Sequence, residues 1–203
     1  MSKQPTFHPV HSVYEGVFNT VSGQVVDLHK PTPEMIHIED IARALSKICR
    51  FGGHTRKFYS VAQHSVLVSN LLPPVLMLDG LLHDATEAYV GDVIKPLKVL
   101  ISDVYDKIEE RFACAIARKF GLIRSETIDK DWHISPDKAV REHIKQADRR
   151  ALELEHEAFQ KGNLKPLKRA INACGISRDF TVAWGPDLAE ALFLQTFSII
   201  KRK

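Results

Sequence analysis

The run Gly80-Leu81-Leu82-His83-Asp84-Ala85-Thr86-Glu87 sets ligand-type and acid/base side chains inside the most apolar stretch of the chain. Burying ionisable groups there costs free energy unless they pair with one another or with an ion. On a helix of 3.6 residues per turn, the adjacent His83 and Asp84 diverge by roughly 100°, so both can reach one cation at the helix edge. Glu87 follows His83 by four residues and Asp84 by three, which puts it on the same side. It is placed to work beside an ion rather than necessarily to bind it.

One His-Asp pair does not complete a metal site, so other helices must contribute, and their ligands should also interrupt apolar faces. His64, within Ser60-Val61-Ala62-Gln63-His64-Ser65-Val66-Leu67-Val68, does so. Asp148, within Ile144-Lys145-Gln146-Ala147-Asp148-Arg149-Arg150-Ala151-Leu152, is the second candidate. Two imidazoles and two carboxylates form a mixed N/O set suited to Mn, Fe, Co, Ni or Zn, and residue type does not choose among them. A cation held in this way neutralises phosphate oxygens and lowers the pKa of a bound water, the two things that hydrolysis of a phosphate ester lacks.

The elements that must position these residues are mostly helices. Short β-prone runs at 17–21 and 24–28 flank Ser22-Gly23 and predict a small hairpin. Ile38, Ile41, Leu45 and Ile48 share one face of a first core helix. Ser60 is positioned to cap a second helix carrying His64, which Pro73-Pro74 ends. A third, almost wholly apolar helix is expected from about 75 to 89, at the centre of the fold, closed by Gly91. Amphipathic helices follow at about 101–120, stopped by Gly121, and at about 136–160. The first should turn Val104, Ile108, Phe112, Ile116 and Phe120 inward, and the second Ile144, Ala147, Leu152 and Leu154. The segment 162–185 has no clear period and reads as a long loop with a short strand near Phe180-Thr181-Val182. Pro186 opens a last helix with Leu188, Ala191, Leu192, Leu194 and Phe197 toward the core.

With 203 residues and 44% hydrophobic content, the chain reads as one domain that buries its own core, residues 1–37 being a hairpin extension and 162–203 a C-terminal loop and helix. There is no run of ~18 apolar residues and no apolar leader near Met1, so a cytoplasmic protein without a membrane span is expected. Cys49, Cys114 and Cys174 are three in number and widely spaced, which suggests neither disulfides nor a thiolate metal site, only small core residues. A net charge of +3 with scattered basic residues does not indicate duplex nucleic acid as a partner. Local cations such as Arg50, Arg56, Lys57, Lys95 and Lys98 suit a small phosphorylated ligand better.

The order His64, then His83-Asp84, then Asp148 resembles the HD-domain phosphohydrolases, a superfamily of all-α helical bundles, over about residues 39–154. Within it the likeness is to the 5′-deoxynucleotidases and to phage-type dATP triphosphohydrolases. It is carried by Arg50-Phe51, by 60–65 around His64, by 83–87, by Gly91-Asp92-Val93-Ile94-Lys95-Pro96-Leu97-Lys98 and by Asp148. The resemblance implies that His64, His83, Asp84 and Asp148 hold one divalent metal, that Glu87 is the acid/base acting on the attacking water, and that Arg50 binds phosphate. Asp92 and the turn through Lys95 would line the sugar and phosphate side of the pocket. Phe51 stands where these deoxynucleotidases often carry Trp, and Ile94-Lys95 where they usually read Pro-Thr; the added lysine favours a longer phosphate chain.

The expected activity is therefore hydrolysis of a 2′-deoxynucleotide, with cleavage of a triphosphate such as dATP to deoxynucleoside and triphosphate ahead of release of orthophosphate from a monophosphate. A metal-dependent nucleotide-binding protein without turnover and a DNA-binding helical module are the rivals. A homodimer is expected from the resemblance and from the apolar surplus of the late helices. His54, in a Gly-rich loop, reads as a solvated histidine.

Overall fold

The computed structural model describes residues 16–122 and 138–202. The fold is all-α with a small N-terminal hairpin. Strands β1 (Val17–Asn19) and β2 (Val25–Asp27) pair antiparallel with Phe18 opposite Val26. The hairpin turn is tied to the first helix, α1 (Ile38–Lys47), through Asp40, whose carboxylate accepts from Thr20 Oγ1 (2.8 Å), Ser22 N (3.0 Å) and Ser22 Oγ (2.5 Å). Ile41 and Leu45 of the expected stripe are buried, joined by Ala42, whereas Ile38 is half-buried and Ile48, also half-buried, lies just past the end of α1.

Helix α2 (Val61–Leu71) is the central element, with every residue from 61 to 69 buried. Its position differs from the expectation that the 75–89 segment would be central, because the polar residues of α2 find internal partners. Gln63 Nε2 donates to the Val182 carbonyl (2.8 Å), Gln63 Oε1 accepts from Trp184 N (2.9 Å), and Ser69 Oγ donates to the Met77 carbonyl (2.7 Å). With these polar side chains paired inside, and the Ser65 hydroxyl alone of them buried without a partner, the helix keeps no solvated face along 61–69. Ser60 caps it, its hydroxyl accepting from Gln63 N (3.2 Å).

The expected helix over 75–89 is broken. A turn at Pro74–Leu76 leads into α3 (Met77–Leu81), residues 82–86 form a tight turn, and α4 (Glu87–Val90) follows, ending at Gly91 with φ 81°. Across the break the backbone bonds run to the third preceding residue, as in Ala85 N to Leu82 O (3.2 Å) and Glu87 N to Asp84 O (3.0 Å). His83 Nδ1 takes the Gly80 carbonyl (2.8 Å) and so competes with helix continuation.

Two helices follow, α5 (Lys95–Leu100) and α6 (Ser102–Phe120), the latter stopped by Gly121 in the left-handed region at φ 68°. Phe112, Ile116 and Phe120 are buried, whereas Val104 points to solvent. Helix α7 (Lys138–Glu155) runs into a wider turn at His156–Gln160; its buried residues are Ala147, Ala151, Leu154 and Glu155, and Leu152 is exposed. The expected start of this helix at Pro136 lies outside the described residues.

The segment 162–185 contains a helix, α8 (Lys165–Ala173), and no strand at 180–182. Leu167 and Ile171 of α8 reach the core at a four-residue spacing too sparse to stand out in the sequence. Near Phe180 the chain turns instead, with Thr181 N donating to Asp179 Oδ1 (2.8 Å). The last helix, α9 (Pro186–Lys201), buries Ala189, Phe193 and Thr196 and exposes Leu188, one step round from the expected stripe. It packs on α1, α2 and α3. Of the cysteines, Cys114 is buried, Cys49 half-buried and Cys174 exposed, so Cys174 is not a core residue. No helix among the described residues is long and apolar enough to cross a membrane.

Candidate metal centre

Four polar side chains from three parts of the chain meet at one point. His64 comes from the first turn of α2, His83 and Asp84 from the turn between α3 and α4, and Asp148 from the middle of α7. His64 Nε2 lies 3.2 Å from His83 Nε2, 3.3 Å from Asp84 Oδ2 and 3.3 Å from Asp148 Oδ1. His83 Nε2 lies 3.1 Å from Asp84 Oδ2 and 3.9 Å from Asp148 Oδ1. The cluster of His64, His83 and Asp148 can hold a metal ion, and Asp84 Oδ2 stands within the same small space. His64 is fully buried and the Asp148 side chain is 40% exposed, so the cluster opens toward solvent on the α7 side.

The hydrogen bonds behind the two imidazoles present both as ligands. His83 Nδ1 faces the Gly80 carbonyl at 2.8 Å; a carbonyl only accepts, so the proton sits on Nδ1 and Nε2 carries a lone pair. His64 Nδ1 faces Glu155 Oε1 at 2.6 Å, which favours the same tautomer. Two nitrogen lone pairs 3.2 Å apart, with the Asp84 and Asp148 carboxylates beside them, repel unless something positive lies between them. Charge leads to the same conclusion. Asp84, Asp148 and Glu155 are all held below the usual carboxylate range: burial opposes this in each, and histidines, joined by Arg50 at Glu155, outweigh it. In the metal-free protein burial and Arg50 oppose a proton on His64, but Glu155, Asp148 and Asp84 hold it there, so the cluster draws positive charge to the place a cation would take.

Gly80 has a second role beside its carbonyl. It lies so close to α2 that a Cβ there would press on the Leu72 side chain and sit 3.3 Å from Ser69 Cα. The spacing of α2 and α3, and with it the approach of His83 to His64, depends on that missing side chain.

Arg50 reaches the cluster from a loop closed at its base. Arg50 N donates to Tyr59 O (2.9 Å) and Val61 N to Ile48 O (3.0 Å), so the chain leaves α1, loops out and returns at the start of α2. The guanidinium lies 3.6 Å from Asp84 Oδ2 and 3.3 Å from Glu155 Oε2, and its Nε is buried without a partner. Burial alone would weaken its hold on the proton; Glu155 and Asp84 more than reverse that. Phe51 follows in the left-handed region, φ 57°, where a bulky residue is strained. Its ring packs beside the guanidinium, 5.5 Å from ring centre to Arg50 Cζ.

Glu87, at the start of α4, has one carboxyl oxygen buried without a partner. Burial, then the nearby Asp84 and Asp92, push its pKa up to about 9, against Arg50 and His64. Asp92 is shifted upward by burial while lying in the field of Arg50 and Asp84. The structure therefore brings Arg50, Glu87 and Asp92 to the four clustered residues, with Phe51 alongside. Lys95 is placed differently: it begins α5, is exposed, and makes no hydrogen bond or ion pair among the described residues. A cavity of about 390 Å³ opens beside His83 between α6 and α7, with Leu82, Ala113, Ile116 and Ile144 in its apolar wall and Arg141 and Lys145 among its lining residues. None of Phe51, Asp92 and Lys95 lines it.

Glu155 is a site residue that the sequence reading passes over. It looks like one more charge in a highly charged helix. The available signal is its register, seven residues after Asp148 and in line with the buried Ala147, Ala151 and Leu154.

No family model matches the chain. A protein of Escherichia coli (strain K12), "Uncharacterized protein YfdR", is 48% identical over 103 residues, which are 51% of this chain and 57% of that protein. A protein of Rhodobacter capsulatus, "Uncharacterized protein RCAP_rcc00048", is 41% identical over 111 residues, 50% of this chain and 57% of that protein. The chain thus spans little more than half the length of the curated relatives it matches.

Proposed function

We propose that this protein is a divalent-metal-dependent phosphohydrolase of the HD-domain type acting on 2′-deoxynucleotides. The observation that carries the reading is the convergence of two imidazole Nε2 atoms and two carboxylates on one point, with an unpartnered guanidinium Nε and an unpartnered carboxyl oxygen beside them. His64, His83, Asp84 and Asp148 would hold the cation, with Mn, Fe, Co, Ni and Zn all compatible with the donor set. Bound there, the cation supplies a Lewis acid and a water of lowered pKa.

The chain's own residues account for the rest. Arg50 Nε is free to bond a phosphate oxygen, and its charge stabilises the equatorial oxygens as negative charge grows. Glu87 is held protonated by burial and by the nearby Asp84 and Asp92; the charge of a bound cation would lower its pKa, and its free oxygen could then take the proton of the attacking water and return it to the leaving oxygen. The cavity beside His83 has apolar walls that suit a nucleoside. Cleavage of a triphosphate such as dATP to deoxynucleoside and triphosphate is the leading version, on the charge that Lys95 adds at its motif position, although its side chain in the structure is exposed and makes no ion pair among the described residues. Release of orthophosphate from a deoxynucleoside monophosphate is the second version, favoured by Arg50 being the one arginine in ion-pair reach of the cluster among the described residues.

The test is product analysis on dATP, dAMP and ATP with added Mn or Co. Triphosphate from dATP supports the first version and orthophosphate from dAMP the second. Metal-dependent binding without product from any of them would leave a nucleotide-binding protein and overturn the enzyme reading. Binding of duplex DNA that falls steeply with salt and survives chelator would point to a different class altogether.

A further inference from the structure

We infer that Glu155 is a positioning residue that couples cation binding to anion binding, by holding the ligand His64 and the guanidinium of Arg50 with one carboxylate. The inference rests on the reading of the histidine–aspartate cluster as a cation site.

Glu155 has no exposed surface, and an unpaired carboxylate at such a depth would be expensive. It is paired three times over. Oε1 accepts from His64 Nδ1 (2.6 Å) and from the Tyr59 hydroxyl (2.8 Å), and Oε2 accepts from Arg50 Nη2 (3.3 Å). Arg50 and Tyr59 both donate, and an ionised carboxylate accepts from them and from His64 Nδ1 at once.

The three partners lie on one segment, Arg50 and Tyr59 meeting at the base of the loop before α2 and His64 standing in α2 itself. Glu155 arrives from α7, the helix that also supplies Asp148. Its bond to His64 fixes the imidazole with Nε2 bare and turned to the cluster. Its bond to Arg50 holds one edge of the guanidinium, while Nη1 lies 3.6 Å from Asp84 and Nε stays free. Neither group touches the other's ligand, yet both are oriented from one anchor. A residue that orients a ligand by its far nitrogen acts on the metal through that nitrogen.

Glu155→Gln tests this. The amide can still accept from one donor, but its NH2 must then face another donor, so the shared anchor fails. In a folded variant, Mn or Zn affinity measured against a competing chelator should fall about 10–100-fold. At saturating metal, affinity for inorganic phosphate should fall as well, because Arg50 has lost its support. A residue that only stabilises the fold would lower the melting temperature and leave both affinities within about two-fold of the parent; that result overturns the inference. If the variant does not fold, the zinc-loaded parent decides by 15N NMR. His64 should carry its proton on Nδ1, hydrogen-bonded and far downfield, with Nε2 shifted by metal; a proton on Nε2 overturns the inference. A parent that takes up no divalent metal would overturn the cation-site reading itself, and this inference with it. Parent-like affinities in Glu155→Gln leave that reading standing.

Discussion

Asp148 and Glu155, seven residues apart on α7, face the two nitrogens of a single imidazole: Asp148 Oδ1 lies 3.3 Å from His64 Nε2, and Glu155 Oε1 lies 2.6 Å from His64 Nδ1. Seven residues are nearly two full turns, so both carboxylates leave the helix on one face. One nitrogen is thereby assigned to structure and the other to the cluster.

Metal addition should stabilise the protein. A cation that binds only the folded chain, present at 100 times its dissociation constant, adds roughly 2.7 kcal/mol, which corresponds to about 5–10 °C in a chain of this size. Differential scanning calorimetry with and without chelator checks it; no shift with Mn, Co, Ni or Zn would count against a metal centre.

Asp148→Asn should reduce metal affinity at least about 100-fold, beyond the roughly 10–100-fold that an outer partner of a ligand usually costs. Asp148 is the most exposed of the cluster, so the fold should survive the change. Isothermal titration with Zn, together with circular dichroism, reads both; parent-like affinity would remove Asp148 from the ligand set.

Glu87→Gln should lower turnover by on the order of 10²–10⁴ while metal affinity stays within a few-fold. It should also change how the metal-free protein responds to pH. Glu87 is held near 9 when folded, against about 4.5 in an unfolded chain. Between those values the unfolded chain has released a proton that the folded one keeps, so stability falls as pH rises through that window and levels off above it. Glutamine removes this loss, so the variant should gain on the parent by roughly 4 kcal/mol at pH 8 and by under about 1 kcal/mol at pH 5. Urea melts at the two pH values measure the difference; an equal gain at both would mean that Glu87 is not held protonated.

Tyr59→Phe removes one neutral donor from Glu155 and leaves the His64 and Arg50 bonds in place. A stability loss of about 1–2 kcal/mol with unchanged Zn affinity is expected, from paired urea melts and titrations. A large fall in affinity would show that the hydroxyl, rather than the carboxylate, sets the site.

Asp40→Ala cuts all three bonds that tie the hairpin turn to α1. It should cost about 2–3 kcal/mol and hasten proteolysis near residues 19–24, without altering metal binding. Resistance equal to the parent's would place the tether elsewhere.

Much of this architecture is legible in the sequence because local chemistry marks it. Ser60, Gly121 and Pro186 stand at helix ends whose caps and stops they can supply, and the structure uses each there. His64, His83, Asp84 and Asp148 stand out as polar interruptions of apolar runs, and the structure brings them together. The break at 82–86 leaves no such mark, since Leu81, Leu82 and Ala85 suit any buried backbone and the bond that ends the helix comes from His83 itself. Glu155 is hidden by composition: Arg149, Arg150 and Glu153 around it are solvated, and its burial depends on partners 91–105 residues away in sequence. Lys95 shows the opposite limit, since alignment to a motif gives it a rank in the chain but not a direction in space.

The closeness of α2 and α3 at Gly80 ties the aim of a ligand to the gap between two backbones. His83 is turned by a carbonyl whose own place is set by an absent methyl group. The tolerance of this centre to sequence change is therefore narrow at a residue that carries no functional group at all, and a search for ligating atoms alone would overlook it.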